Sequence, residues 1–201
     1  PLKRRLKKEL NIEGKFIVLN VSYGVPKKNL EAIIKAVGII KDENVIFMHV
    51  GNFLDNAYRK YLNELVKNFG LENRIIFLEN ISYDDLPDYY NISDVFVQAG
   101  HRESYAIPVL EAMASGLPVI STKSGIASEV IEDGETGFIA SNAEDIAEKI
   151  ELLVDDPRLK KKMGENCRKI AREYDWEIII NKLEKIYISL QSKEGLFCKE
   201  K

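Results

Sequence analysis

The stretch Gln98 to Pro108, QAGHRESYAIP, sets carboxylate, hydroxyl, imidazole and guanidinium groups just ahead of a helical pattern holding Leu110, Glu111 and Met113. Glu103 precedes that helix and Glu111 lies about one turn inside it, eight residues on, so the two can reach different parts of one ligand. An ionised carboxylate accepts from two neighbouring hydroxyls, and each glutamate could therefore position a hexose or a ribose without proton chemistry. Backbone amides at a helix start have no helical partner and point outward, where a diphosphate can accept from them. Pro108 has no N–H and suits that first turn. The plainer reading of Glu111 is a surface residue in a mostly apolar helix, and the pattern alone leaves both open.

A second anion candidate is Lys28, in the loop Ser22 to Asn29. A lysine at a strand-to-helix junction can meet phosphate together with free helix amides, the alternative being a solvated lysine. The loop holds one glycine and lacks the GxGxxG spacing of dinucleotide binding, which disfavours a dehydrogenase. His101, beside Arg102 and Glu103, raises acid–base or metal chemistry, but its companion His49 lies on another strand and no further ligand spacing accompanies them. The chain contains no DxD, so a diphosphate would be met by positive charge and helix amides; neither a metal nor another cofactor is expected.

These residues need elements to carry them. Phe16–Val21, Val45–Val50, Ile75–Leu78, Val95–Val97, Val119–Ser121 and a short run near Gly137–Ala140 read as strands without clean alternation. Helical patterns separate them, with Leu30, Ile33, Ile34 and Val37 on one face of the first and Tyr58, Leu62, Leu65, Val66 and Phe69 on the next. Asp84 to Tyr90 is a short acidic and aromatic segment, and Pro108 to Ser115 is a helix stopped by Gly116. Such alternation predicts an α/β, Rossmann-like parallel sheet with helices on both faces. Ligands then bind beyond the carboxyl ends of the strands, so the loops after the first four strands are where to look.

Around this core the sequence divides into a lead-in at 1–14, the Rossmann-like domain at 15–174, a C-terminal helix at 175–191 and a tail at 192–201 without apolar period. The lead-in sets Lys3, Arg4, Arg5, Lys7 and Lys8 around a thin stripe of Leu2, Leu6 and Leu10, which reads as a solvated helix entering from another domain or as a peripheral membrane-surface patch. Trp176 and Tyr187 flank an apolar pattern that suits either core packing or contact with a further domain.

The 201 residues and their 45% hydrophobic content fit one ordinary globular domain, and the net charge of -3 gives no general pull toward nucleic acid. The longest apolar runs fall far short of the roughly 20 residues of a membrane-spanning helix. Two cysteines, Cys167 and Cys198, lack CxxC or zinc-like spacing, which suits a reducing cytoplasm. The opening on Pro1 with no signal segment reads as a cut inside a longer protein.

From Val95 to Ala140 the sequence resembles the donor-binding domain of glycosyltransferase family 4, a large retaining family of the two-domain GT-B fold. Glu103 and Glu111 stand in an E(x7)E arrangement, followed by LEAMASGLPVI, Glu129 in SEVI, and the turn Gly134 to Gly137; weaker similarity runs from Phe16 to the Trp176 helix and includes Val25 to Asn29. The resemblance implies one half of a glycosyltransferase whose substrate is a nucleotide-diphospho-sugar, with the acceptor site on an upstream domain absent here. By it Glu103, the candidate catalytic residue, would contact the transferred sugar, the backbone of Ser104, Tyr105, Ala106 and Ile107 the diphosphate and sugar, Glu111 the ribose, and Lys28 the diphosphate. The base would rest near Gly51 and near Asn80 to Tyr83, Ile81 included. Two features depart from the family: Tyr23 replaces an arginine five residues before the loop lysine, and Ser104-Tyr105-Ala106 replaces a GFG. Both suit an altered donor or a non-catalytic nucleotide-sugar-binding module. A nucleotide-sugar 2-epimerase shares the architecture, but no matching acid–base set is found.

Overall fold

The structure, a computed structural model, describes residues 2–197. Six strands, β1 (Phe16–Val21), β2 (Val45–Val50), β3 (Ile75–Leu78), β4 (Val95–Gln98), β5 (Val119–Ser121) and β6 (Gly137–Ile139), form one parallel sheet in the order β3-β2-β1-β4-β5-β6. Parallel neighbours require crossovers, and helices supply them on both faces. The strands are mostly apolar on both faces because both faces are covered: along β1, Val18 points into one core while Ile17 and Leu19 point into the other, and the polar exceptions Asn20, His49, Gln98 and Ser121 are buried with them.

On the first face lie α2 (Leu30–Ile39), α3 (Asn56–Asn68) and α7 (Ala143–Asp155), through Ile33, Val37, Leu62 and Ile150. On the second lie α1 (Leu2–Glu9), α4 (Leu86–Ile92), α5 (Ile107–Ser115), the single turn α6 (Ala127–Val130) and α8 (Pro157–Arg172), through Leu6, Ile92, Met113, Val130 and Cys167. Leu6 and Leu10 pack on this core and Ile12 is buried, so these two leucines of the basic lead-in are turned inward, on the side where the lead-in helix meets α4. Helix α9 (Trp176–Phe197) runs on where the sequence suggested an end near Leu190 and a tail from 192, since extending an existing helix needs no new nucleus. Residues 198–201 of that tail lie outside the described residues. Trp176, for which core packing and an outer face were both open, is 76% exposed.

Strand β1 sits between β2 and β4, so the chain order reverses there and the loops after β1 and β4 diverge to open a crevice. Residues 75 positions apart in sequence thereby become neighbours.

Candidate functional site

A cleft of about 610 Å³ opens at this reversal, bounded by the loops after β1, β2 and β3 and by the start of α5. Gly51, directly after β2, has φ +147°, and a Cβ there would come within 1.9 Å of the Ser22 carbonyl oxygen. No side chain fits, which lets the β2 loop close against the β1 loop and shape the cleft floor. Lys28 ends the 3-10 turn Pro26–Lys28, and Asn29, left-handed at φ 52°, donates from its side-chain Nδ2 to the Ala99 carbonyl at 3.3 Å, tying this turn to the β4 loop.

The Lys28 ammonium donates to both oxygens of Glu103, at 2.9 and 2.8 Å, and the Glu103 side chain is only 5% exposed. Gly100 makes the room for that carboxylate, because a Cβ there would lie 2.6 Å from Glu103 Oε1. The loop after β5 supports the arrangement from below. Ser124 Oγ accepts from the Glu103 amide at 2.8 Å, Thr122 Oγ1 donates to the Gly100 carbonyl at 2.6 Å, and the Ile126 amide donates to the Tyr105 carbonyl at 2.8 Å.

Within the described residues no acceptor takes the amides of Ser104, Tyr105, Ala106 and Ile107. These four donors lead into the positive end of α5, an arrangement that favours an anion. Ala106 holds φ 68° as the residue before the helix, a left-handed conformation that disfavours a Cβ. The helix starts at Ile107, one residue before the start expected at Pro108.

Inside α5, Glu111 accepts from the Tyr90 hydroxyl at 2.7 Å through Oε2 and from the Tyr83 hydroxyl at 3.1 Å through Oε1. Burial, and then the Glu111 charge, push the Tyr90 phenol well above its ordinary range; the hydrogen bond to Glu111 raises that of Tyr83. Both tyrosines are therefore proton donors at neutral pH, and each donates to one oxygen of Glu111.

Of the residues singled out by sequence, Lys28, Gly51, Ile81, Ile107 and Glu111 line this one cleft, and Glu103 joins it through Lys28. Ser104 and Tyr105 stand exposed on the loop beside it, and Ala106 is partly buried at the helix entrance. Tyr23 also lines the cleft and is 60% exposed. Sequence reasoning missed Tyr90, Gly100 and Ser124. Ser124 follows β5, beyond the loops of the first four strands to which the sequence pointed, and its role depends on β5 lying beside β4. His49 is buried on the α2–α3 face against Phe53 and Phe77, where burial lowers its pKa to about 4, so it is neutral at pH 7. His101 is exposed, its Nε2 3.4 Å from the Asn29 amide nitrogen.

Comparison with known proteins gives this cleft a context. The model of the family described as glycosyl transferases group 1 matches residues 3–170. N-acetyl-alpha-D-glucosaminyl L-malate synthase of Bacillus anthracis is 30% identical over 188 residues, covering 91% of this chain and 48% of that protein. The capsular polysaccharide biosynthesis glycosyltransferase CapM of Staphylococcus aureus is 31% identical over 195 residues, 92% of this chain and 49% of its own length. Among solved structures, Anabaena HepE in complex with UDP superposes with a TM-score of 0.86 at 26% identity, over 95% of this chain and 52% of HepE. The C-terminal domain of the group 1 family protein LpcC from Francisella tularensis superposes at 0.80 with 28% identity, over 87% of this chain and 93% of that domain. The chain spans about half the length of the curated relatives it matches. Its fold is that of one Rossmann-like half of a GT-B glycosyltransferase, and the chain belongs to the group 1 glycosyl transferases.

Proposed function

We propose that this chain is the donor-binding domain of a retaining glycosyltransferase of family 4, which moves a hexose from a nucleotide-diphospho-sugar to an acceptor hydroxyl. The observation that carries the reading is three kinds of group at one cleft: a lysine, a carboxylate held to accept hydroxyls, and, leading into the helix start at Ile107 on its wall, four amides that no acceptor takes among the described residues. The amides and Lys28 match a diphosphate, which gains charge as the sugar leaves. Glu111 matches the ribose diol, and the Gly51 and Ile81 loops leave space for a base. HepE, bound to UDP in one structure and to UDP-glucose in another, supports a donor of this class.

Glu103 would contact the transferred sugar once Lys28 turns to the diphosphate. An acceptor site and further catalytic groups would come from the partner domain that the relatives' greater length suggests, upstream of this one. This chain alone would then bind donor and transfer little. No metal is required in this account, because cations and amides oppose the diphosphate charge. A non-catalytic nucleotide-sugar-binding module is the second reading, and Tyr23 in the cleft wall is what favours it. Calorimetric titration of the chain with UDP-, GDP- and ADP-hexoses tests the proposal: saturable binding of one donor supports it, and no binding of any by a folded chain contradicts it.

A further inference from the structure

Glu111 lines the cleft, and each of its carboxylate oxygens already holds a phenol. The two phenols are not equivalent. Tyr90 is 2% exposed on α4, its ring 6.1 Å from Phe96, and within the described residues its hydroxyl has no acceptor except Glu111 Oε2. At 2.7 Å this is a charge-assisted bond between a buried donor and an anion, and breaking it would strand the donor away from water. Tyr83 is 74% exposed, stands on the single turn Tyr83–Asp85 capped by Ser82, and makes a longer bond of 3.1 Å. Water can replace Glu111 as its acceptor at little cost.

A cis-diol presents two hydroxyl donors to one carboxylate, and it needs at least one oxygen free and the carboxylate plane fixed. Tyr90 can fix the plane, and Tyr83 blocks the free oxygen. We propose that Tyr90 is a positioning residue that aims Glu111 at the ribose of a nucleoside diphosphate, and that Tyr83 occupies the ribose position and is displaced when the nucleotide enters. The proposal rests on the donor-site reading above and deepens it at the ribose.

The two tyrosines therefore act on affinity with opposite sign. Removing the Tyr83 hydroxyl frees Oε1 without touching the plane. Removing the Tyr90 hydroxyl leaves Oε1 blocked and lets the carboxylate rotate.

The test is calorimetric titration of the unmodified chain, Tyr83→Phe and Tyr90→Phe with UDP and with 2′,3′-dideoxy-UDP, which lacks the diol. Tyr83→Phe is expected to bind UDP about two- to fivefold more tightly, and Tyr90→Phe about tenfold more weakly. Tyr90→Phe should leave affinity for the dideoxy ligand unchanged, whereas Tyr83→Phe should tighten it as well, because any ribose ring that enters displaces the phenol. That ligand also reports whether the Tyr90→Phe site is intact, beside a thermal melt of the variant. An equal shift for both ligands in Tyr90→Phe, shifts of the same sign for UDP in the two variants, or no shift would overturn the proposal while leaving the donor site standing. Failure of the unmodified chain and of Tyr83→Phe to bind UDP at all would overturn the donor reading and this proposal with it.

Discussion

Replacing Glu103 by glutamine should tighten binding of UDP, even though Glu103 stands among the residues matched to the donor. In the structure its carboxylate takes two bonds from the Lys28 ammonium, at 2.9 and 2.8 Å. A diphosphate that recruits Lys28 must first break that pair, so part of its attraction is spent on the exchange. Hydrogen bonds to charged groups contribute about 1.5–3 kcal/mol net. The Lys28 side chain is 22% exposed, which argues for the lower end. About 1.5 kcal/mol corresponds to roughly tenfold in Kd. Glutamine keeps the shape in the space left by Gly100 and removes the negative charge beside the incoming phosphates. Titration with UDP should therefore show Kd falling about tenfold in Glu103→Gln, with a smaller gain for UDP-glucose, whose sugar would lose its carboxylate contact. The gain should shrink at high salt, as the exposed side of the pair is screened. An unchanged or weakened UDP affinity would show that Lys28 is not held back by Glu103.

Three further outcomes follow from particular residues. Ala106→Gly should raise stability by about 1 kcal/mol in thermal or urea unfolding, because φ 68° strains a Cβ that glycine lacks; a loss of stability would contradict that. Gly125→Ala should destabilise by about 1–2 kcal/mol, since φ is 59° and the new Cβ would lie 2.9 Å from the Tyr105 carbonyl oxygen, pushing on the loop that leads to the α5 amides. His49 has its pKa lowered from 6.5 to about 4 by burial, so the unfolded chain binds the extra proton first and stability falls as pH drops from about 6.5 toward 4. The loss is at most about 3 kcal/mol. His49→Leu should flatten that part of the stability profile, and an unaltered profile would exclude His49 as its source.

The strands and most helix limits were legible because the local chemistry is explicit. FIVLNV and VIFMHV are apolar on both faces, as a covered parallel strand must be, and Gly116 adopts the left-handed φ of 79° that ends α5. What the sequence could not show was adjacency. Nothing local to Val95–Gln98 says that β4 pairs with β1, yet that pairing brings Glu103 to Lys28. The resemblance singled out Glu111, whereas Tyr90 read only as part of an acidic and aromatic segment; its bond to Glu111 depends on how α4 packs against α5. Ser124 was invisible for the same reason, since it acts across the sheet rather than along the chain. The inward turn of Leu6 and Leu10 also needed α4 in place to be seen.

The central claim is that a nucleotide-diphospho-sugar binds in the cleft between the β1 and β4 loops, gripped by Lys28 and Glu111. The most direct measurement is titration of the best-bound donor against Lys28→Ala and Glu111→Ala, each first shown to be folded. Both substitutions should weaken binding about tenfold or more, the first through the diphosphate and the second through the ribose. Donor binding that survives both substitutions unchanged would place the site elsewhere and contradict the account.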